Sequence, residues 1–550
     1  MKSKDFSSAT PVSDTLQTKK YIPADGFAGL KENFKADSLS GFLVFLLAMP
    51  LSLGIAKASD FPPIFGLVTA IIGGLVVSFF SGSRLSVKGP AAGLIVIGSG
   101  SVAAFGGGEL GWHLTLGAIV VAGIIQILFG VLKLGKLADF FPGAAVHGML
   151  AAIGIIIMSK QIHTLLGIDP KMLKGKEPME LISMIPESIM HENAHIAEIG
   201  ITCLLLMIAF SFIKHQKIKR IPAPLVVLII SIPLAIVLHI KTEGTVANFA
   251  LVKIGSIFEA FSTGIIKADF SGAVNNFALF AEYVVLFALI GSLESLLTAK
   301  AIDNVDPFKR KSDFNKDLKA VGIGNILAGL LGGLPMISEV ARSSANVANG
   351  AKTRWANFFH GLFLLFAILL AVPIIELIPN TALAAMLVFV GFRLAHPKEF
   401  IHMYHIGKEQ LLVFVTTIIL TLTTDLLIGV GSGILLEIII NLFNGTPIRQ
   451  LFKTTVTVTE TENNVVLHAD DALVFSNILG FKKQFQKIPT GKHLTVNVAK
   501  AKIVDHTSIM TLNSLTESYK QSGGTVKVTG FENHRQLSKA PTSTRILKLS

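Results

Sequence analysis

Apolar and polar positions fall in blocks along most of this chain. Apolar windows of ~18 residues recur with short polar breaks between them, the pattern of helices that cross a bilayer. The predicted segments are 39–57, 64–80, 90–105, 112–133, 142–160, 195–213 and 222–240. A second set follows at 276–301, 318–333, 340–349, 356–377, 381–394, 409–424 and 425–444. The third and tenth are too short to cross ~30 Å of hydrocarbon as helices. Each follows a polar approach carrying Gly or Pro, SGSRLSVKGPAAGL before one and GGLPMISEVARSSA before the other. About fourteen segments, broken at matching places in each half, predict an all-α polytopic membrane protein built as seven-plus-seven inverted repeats.

After residue 445 the pattern changes. Short β-like runs (TVTVTET, NVVLHA, HLTVNVA, TVKVTGF) alternate with helical windows near 477–487 and 507–521, which predicts a small cytosolic α/β domain over 453–535. The predicted organisation is therefore a polar cytosolic arm (1–38), a transmembrane domain (39–445), the α/β domain, and a loose basic tail (536–550).

A mean hydropathy of +0.64 and 15% charged residues agree with the block pattern. The formal net charge of +12 would suit a nucleic-acid binder, but Lys and Arg concentrate in one set of loops. SGSRLSVK, LKLGKLAD, KHQKIKR, DPFKRKSDFNKDLK, GAKTR and HPKEF all fall on the same side, whereas GGGEL and ELIPNT carry neither residue. The asymmetry predicts a multi-pass protein of the cell membrane with both termini cytoplasmic, and no nucleic-acid partner. The single cysteine, Cys203, excludes a disulfide framework and is read as packing.

Candidate chemistry lies in two places. Glu294 stands inside an apolar run, with Ser292, Ser295 and Thr298 around it. A carboxylate at membrane depth needs a partner; Na⁺, a proton, or a structural pair with Arg342 all satisfy that need. Arg342 follows the second break, where a half-helix N-terminus and Ser343 and Ser344 can bind an anion. Pro90 to Gly93 opens the opposing half-helix. Glu339 either pairs with Arg342 at i,i+3 or supplies proton linkage. GVLKLGKL lacks the Ser/Thr of a phosphate-binding loop, His147 reads as packed or hydrogen-bonded, and no catalytic triad or metalloprotease pattern occurs, so no enzyme and no cofactor is expected.

These residues resemble the SulP family of anion transporters, relatives of the eukaryotic SLC26 proteins. The resemblance rests on Met49-Pro50-Leu51-Ser52, Pro63 to Leu67, Lys88-Gly89-Pro90, Gly291 to Thr298, Gly324-Asn325, Gly332 to Pro335, and Arg342 to Val347. It implies an anion site at Ala91, Ala92, Gly93, Ala341, Arg342 and Ser343. It also implies a Na⁺ site at Glu294, Thr298 and Ser338, a homodimer, elevator-like movement, and a STAS domain at the C-terminus. Leu51 and Val68 stand where many relatives have Gln and Tyr, and Glu294 stands where sodium-coupled relatives have Asp. Asp505-His506-Thr507-Ser508 replaces the Asp-Ser-Ser-Gly of phosphorylatable relatives. The resulting expectation is a secondary active transporter of sulfate or bicarbonate coupled to Na⁺ or H⁺. The alternatives are an uncoupled anion exchanger or channel, and a nucleobase permease of the same fold class.

Overall fold

The computed structural model describes residues 22–548 apart from 137–139, 174, 214, 216–217, 219–220, 241–248, 263 and 490. Residues 1–21 of the predicted arm and most of the basic loop 214–220 therefore lie outside the described residues. Among those described, seven helices are long and apolar enough to cross a membrane: Gly26–Ala58 (α1), Pro63–Phe80 (α2), Gly108–Val131 (α4), Gly143–Leu165 (α5), Ala194–Phe212 (α7), Phe277–Val305 (α9) and Leu426–Phe443 (α16). Shorter helices complete the bundle: Ala92–Ala104 (α3), and then Pro178–Met190 (α6), Ala223–Val237 (α8), Phe314–Leu330 (α10), Val340–Ala348 (α11), Trp355–Leu370 (α12), Asn380–Leu394 (α13), Pro397–Ile406 (α14) and Lys408–Thr423 (α15).

The predicted first segment begins too late. α1 starts at Gly26, so residues 26–38 of the predicted polar arm are its opening turns. The reason is that polar residues in those turns have buried partners. Asp37 is fully buried and accepts the N–H groups of Lys352 (2.7 Å) and Thr353 (3.1 Å) ahead of α12. Such a carboxylate satisfies buried loop N–H groups that have no partner within a helix.

Two three-residue strands, Lys88–Pro90 (β1) and Met336–Ser338 (β2), precede the short helices α3 and α11. They pair antiparallel with Lys88 opposite Ser338, Gly89 opposite Ile337 and Pro90 opposite Met336. Non-helical backbone is tolerated at membrane depth only where protein satisfies it, and side chains do this here. Asn325 on α10 acts as a strand substitute: its Oδ1 accepts Met336 N (2.6 Å) and its Nδ2 donates to Met336 O (3.2 Å). Just before the other strand, Val87 N donates to Ser343 Oγ (2.9 Å). α2 passes close behind through a π-helical turn at Gly73–Val77, a local widening common at functional sites. A Cβ at Gly73 would run into the carbonyl of Lys88.

The C-terminal region is a seven-stranded sheet: Thr455–Glu460 (β3), Asn464–Leu473 (β4), His493–Asn497 (β5), Ala501–Val504 (β6), Thr525–Thr529 (β7), His534–Gln536 (β8) and Arg545–Leu547 (β9). Its order is β7-β5-β4-β6-β9-β8 with β3 on β4, and β4, β5, β6 and β7 pair in parallel. Helices Ile478–Phe485 (α17) and His506–Gln521 (α18) cover it, with Phe481, Phe485, Ile509 and Leu512 in the core. The tail expected to be loose is part of this sheet, because β9 pairs antiparallel with both β6 and β8. The region docks on the membrane helices: Asn441 Nδ2 of α16 donates to Asp505 Oδ2 (3.3 Å), and Ser538 Oγ donates to Ile406 O (2.7 Å).

Candidate functional site

The strand crossing brings the N-terminal turns of α3 and α11 together, and the residues singled out in the sequence gather there. α3 opens at Ala91 through a 3₁₀ turn over Ala92–Leu94 with no side-chain cap. Glu294, near the middle of α9, projects onto this turn. A Cβ at Gly93 would collide with both of its carboxylate oxygens, so glycine is what permits the approach. Glu294 is only 7% exposed, and its Oε1 has no hydrogen-bond partner among the described residues. Thr298 is buried on the same helix one turn later.

Arg342 comes from the first turn of α11 and is fully buried. Its Nη2 donates to Pro90 O at a long 3.5 Å, and a Cβ at Gly89 would meet its Nη1. Nε and Nη1 have no hydrogen-bond partner among the described residues. The nearest charge is Glu339 Oε2, 3.8 Å from Nε. Glu339 is the N-cap of α11, its Oε2 accepting Arg342 N at 2.6 Å. Capping consumes one of the donors that the sequence assigned to an anion. The side-chain pairing of Glu339 with Arg342 is long and only partly shielded, with Glu339 17% exposed.

Not every predicted residue is free to bind a ligand. The Ser343 hydroxyl donates to Glu339 O (2.5 Å) and accepts from Val87 N, so it is spent on the crossing. Ser338 reaches α9 through its backbone, N–H donating to Ser295 Oγ at 3.2 Å, while its hydroxyl donates to Asp317 Oδ2 at 3.2 Å. Ala341 and Ala92 offer backbone and small side chains beside Arg342 and Gly93. His147 Nδ1 lies 3.3 Å from Glu399 Oε2, an ion pair only when the imidazole is protonated, and Cys203 is a buried free thiol.

Two features escaped the sequence reading. Lys88 and Asp317, both counted there among loop charges, form a fully buried ion pair at 2.9 Å. Loops were the natural assignment because each lies in a run of charged or polar residues. On α12, Asn357 and His360 are buried with no hydrogen-bond partner for either polar end among the described residues, and His360 lies within electrostatic reach of Arg342.

Comparison with known proteins agrees with this architecture. The sequence profile of the Sulfate permease family matches residues 34–417. YvdB of Bacillus subtilis (strain 168), a protein assigned to sulfate transport, is 26% identical over 511 residues, covering 91% of this chain and 92% of that protein. The transmembrane domain of a cyanobacterium bicarbonate transporter, BicA, superposes with a TM-score of 0.62 at 23% identity, over 72% of this chain and 98% of that one. The murine anion transporter Solute Carrier 26 family member A9, in its inward-facing state, gives a TM-score of 0.64 at 16% identity over 90% and 85% of the two chains. With a matching profile over most of its length, the chain belongs to the sulfate permease family of membrane transporters.

Proposed function

We propose that this protein is a secondary active transporter of sulfate or bicarbonate, driven by co-transport of Na⁺ or H⁺ through Glu294. The observation that carries the reading is the position of Glu294 against Gly93, at the uncapped start of α3. That is where an incoming anion would find free backbone N–H groups. An ionised carboxylate and an anion at one helix start repel each other, by about 4 kcal/mol at 4 Å for an effective dielectric near 20. A cation or proton on Glu294 removes that repulsion, and Arg342 then faces the anion with two donors to offer. Binding of the two substrates is thereby linked, and the loaded site carries less net charge than the site holding the anion alone, which favours its passage through the membrane.

Cation binding would use Glu294, Thr298 and the Ser338 backbone region, and Glu339 is a second candidate for proton linkage. The transported anion would lie among Ala91 to Gly93 and Ala341 to Arg342. The names of the relatives, one assigned to sulfate and one to bicarbonate, support an inorganic anion over a nucleobase. So does Arg342, since a neutral base needs no buried guanidinium. The wider reading comprises fourteen segments in two inverted repeats, related by the matching strand-plus-short-helix units β1–α3 and β2–α11. It further comprises elevator-like movement, a homodimer, cytoplasmic termini and a STAS-type C-terminal domain.

The test is uptake into proteoliposomes with imposed Na⁺ or pH gradients, using sulfate, bicarbonate, chloride and fumarate as competing substrates. Gradient-driven accumulation should be lost in Glu294→Gln while anion exchange at equilibrium survives. Uptake indifferent to both gradients, with Glu294→Gln fully active, would instead make the protein an uncoupled exchanger.

A further inference from the structure

The pair formed by Lys88 and Asp317 has a place in the fold that simple burial does not explain. Asp317 lies on α10, outside both strands, yet one carboxylate reaches both. Its Oδ1 accepts Lys88 Nζ (2.9 Å), Ser81 Oγ (2.6 Å) and Ser83 N (3.2 Å), all on or leading into β1. Its Oδ2 accepts Ser338 Oγ (3.2 Å) on β2. Lys88 and Ser338 are direct partners in the strand register. The carboxylate therefore spans the first of the three facing pairs in the crossing that leads into α3 and α11. Ser338 N–H in turn donates to Ser295 Oγ, on the residue next to Glu294. A continuous polar chain runs from Lys88 through Asp317, Ser338 and Ser295 to the helix that carries Glu294.

We infer that Lys88 and Asp317 are positioning residues of the transport site, setting the strand register that places Ser338 against α9. Two three-residue strands are far too short to hold a register alone. Asn325 braces β2 alone, and Ser343 and the Glu339 N–H tie Val87 to Glu339 at one end of the crossing. Asp317 ties the facing residues Lys88 and Ser338 within the strands themselves. A buried ion pair is not needed for stability, since apolar replacements of similar volume are often neutral or stabilising, and its attested use is to specify an arrangement. Lys88 keeps the four-donor carboxylate neutral overall, so that the pair adds no net charge beside Glu294 and Arg342. The inference rests on the proposal that a cation binds near Glu294, Thr298 and Ser338.

The experiment measures cation-dependent anion uptake by the full-length protein in proteoliposomes, together with its thermal unfolding. In Lys88→Met/Asp317→Leu, which exchanges the pair for apolar groups, the half-saturating cation concentration should rise at least ~10-fold, the scale on which residues that orient ligands act. Its unfolding temperature should stay near that of the parent. Lys88→Arg, which keeps the pair, should remain within about 2-fold of the parent. If the double variant does not fold, Asp317→Glu moves the carboxylate by one methylene without unpairing a charge, and should raise the half-saturating concentration at least ~3-fold. A double variant, or failing that Asp317→Glu, with unchanged cation dependence overturns the inference and leaves the proposed function standing. So does a Lys88→Arg shift as large as that of the double variant. A parent protein with no response to Na⁺ or pH gradients removes both.

Discussion

The two short helices begin from paired strands, yet their first turns are completed in opposite ways. α3 starts at Ala91 with no side-chain cap, among Ala and Gly, and the charge nearest its start is the carboxylate of Glu294 from another helix. α11 starts at Glu339, which caps its own helix, and carries Arg342 in its first turn. One helix start thus keeps its backbone donors, while the other spends one of them and adds a guanidinium. A scaffold of two similar units holds chemistry that is not duplicated: negative charge meets the open helix start, and positive charge sits on the capped one. This difference suits a site that takes two oppositely charged substrates, because the acid and the base are held by separate elements and either can be neutralised alone.

The sharpest way to break the comparison is at the capped helix start. Arg342→Met removes the guanidinium and two hydrogen-bond donors at once. Charge-assisted hydrogen bonds contribute ~1.5–3 kcal/mol each, so anion uptake should fall at least ~100-fold. Arg342→Lys restores a point charge without the planar fork and should recover only part of the activity. Anion-induced thermal stabilisation of the purified protein checks both variants. A Met variant still stabilised by sulfate or bicarbonate would mean that α3 alone binds the anion.

At the open helix start the test is steric. In Gly93→Ala the new methyl must push the Glu294 carboxylate away from α3. Misplacing one polar group at a binding site changes rate or affinity by about 10-fold or more, and that loss is expected in gradient-driven uptake. Glu294→Asp in the same background shortens the acid by one methylene and should return part of the coupling. A Gly93→Ala protein with parental uptake would separate Glu294 from the start of α3.

Much of this was legible in the sequence. The hydrophobic blocks located the helices to within a few residues at most boundaries, and the breaks at Pro90 and Gly332 to Pro335 marked α3 and α11. The chain also showed Glu294 and Arg342 as charges out of place. What it did not show has a common physical cause. Lys88, Asp317 and Asp37 lie in polar windows, and a window average cannot tell a solvated charge from one buried against a partner distant in sequence. β1, β2 and β9 are each three residues long, too short for a two-residue period to register, and they exist because other chain segments pair with them. Glu339 was left between two roles because i,i+3 spacing does not reveal that its carboxylate turns back to the Arg342 N–H.

That cap gives the third prediction. Glu339→Ala leaves the Arg342 N–H unmet and should destabilise α11 by about 1 kcal/mol. Glu339→Gln keeps an acceptor and should be nearly neutral in stability. Both variants remove a negative charge 3.8 Å from Arg342 Nε and should tighten anion binding about 2- to 5-fold, a modest gain because Glu339 is partly screened by solvent. Equal melting temperatures for the two variants would show that the cap contributes nothing to stability.

A last test lies at another capped helix, outside the membrane. Asp505 caps α18, its Oδ1 accepting Ser508 N (2.7 Å) and its Oδ2 accepting Phe475 N (2.6 Å) as well as Asn441 of α16. Burial pushes its pKa up from 3.8 to about 6, outweighing the hydrogen bonds that favour the charged form. The folded state therefore holds a proton that the unfolded chain releases between those two values. The stability associated with that proton is complete below pH 3.8, declines as pH rises, and is gone above about 6. The span corresponds to roughly 3 kcal/mol. Asp505→Asn cannot ionise, so its stability should lack this slope. It should also carry a pH-independent loss of about 1–3 kcal/mol, because the amide brings a second donor to Phe475 N–H or Asn441. Denaturant unfolding of the full-length protein between pH 4 and 7 reads the difference between parent and variant, which cancels the contribution of the other carboxylates. A difference constant across that range would mean that Asp505 stays ionised in the folded protein and that its donors outweigh burial.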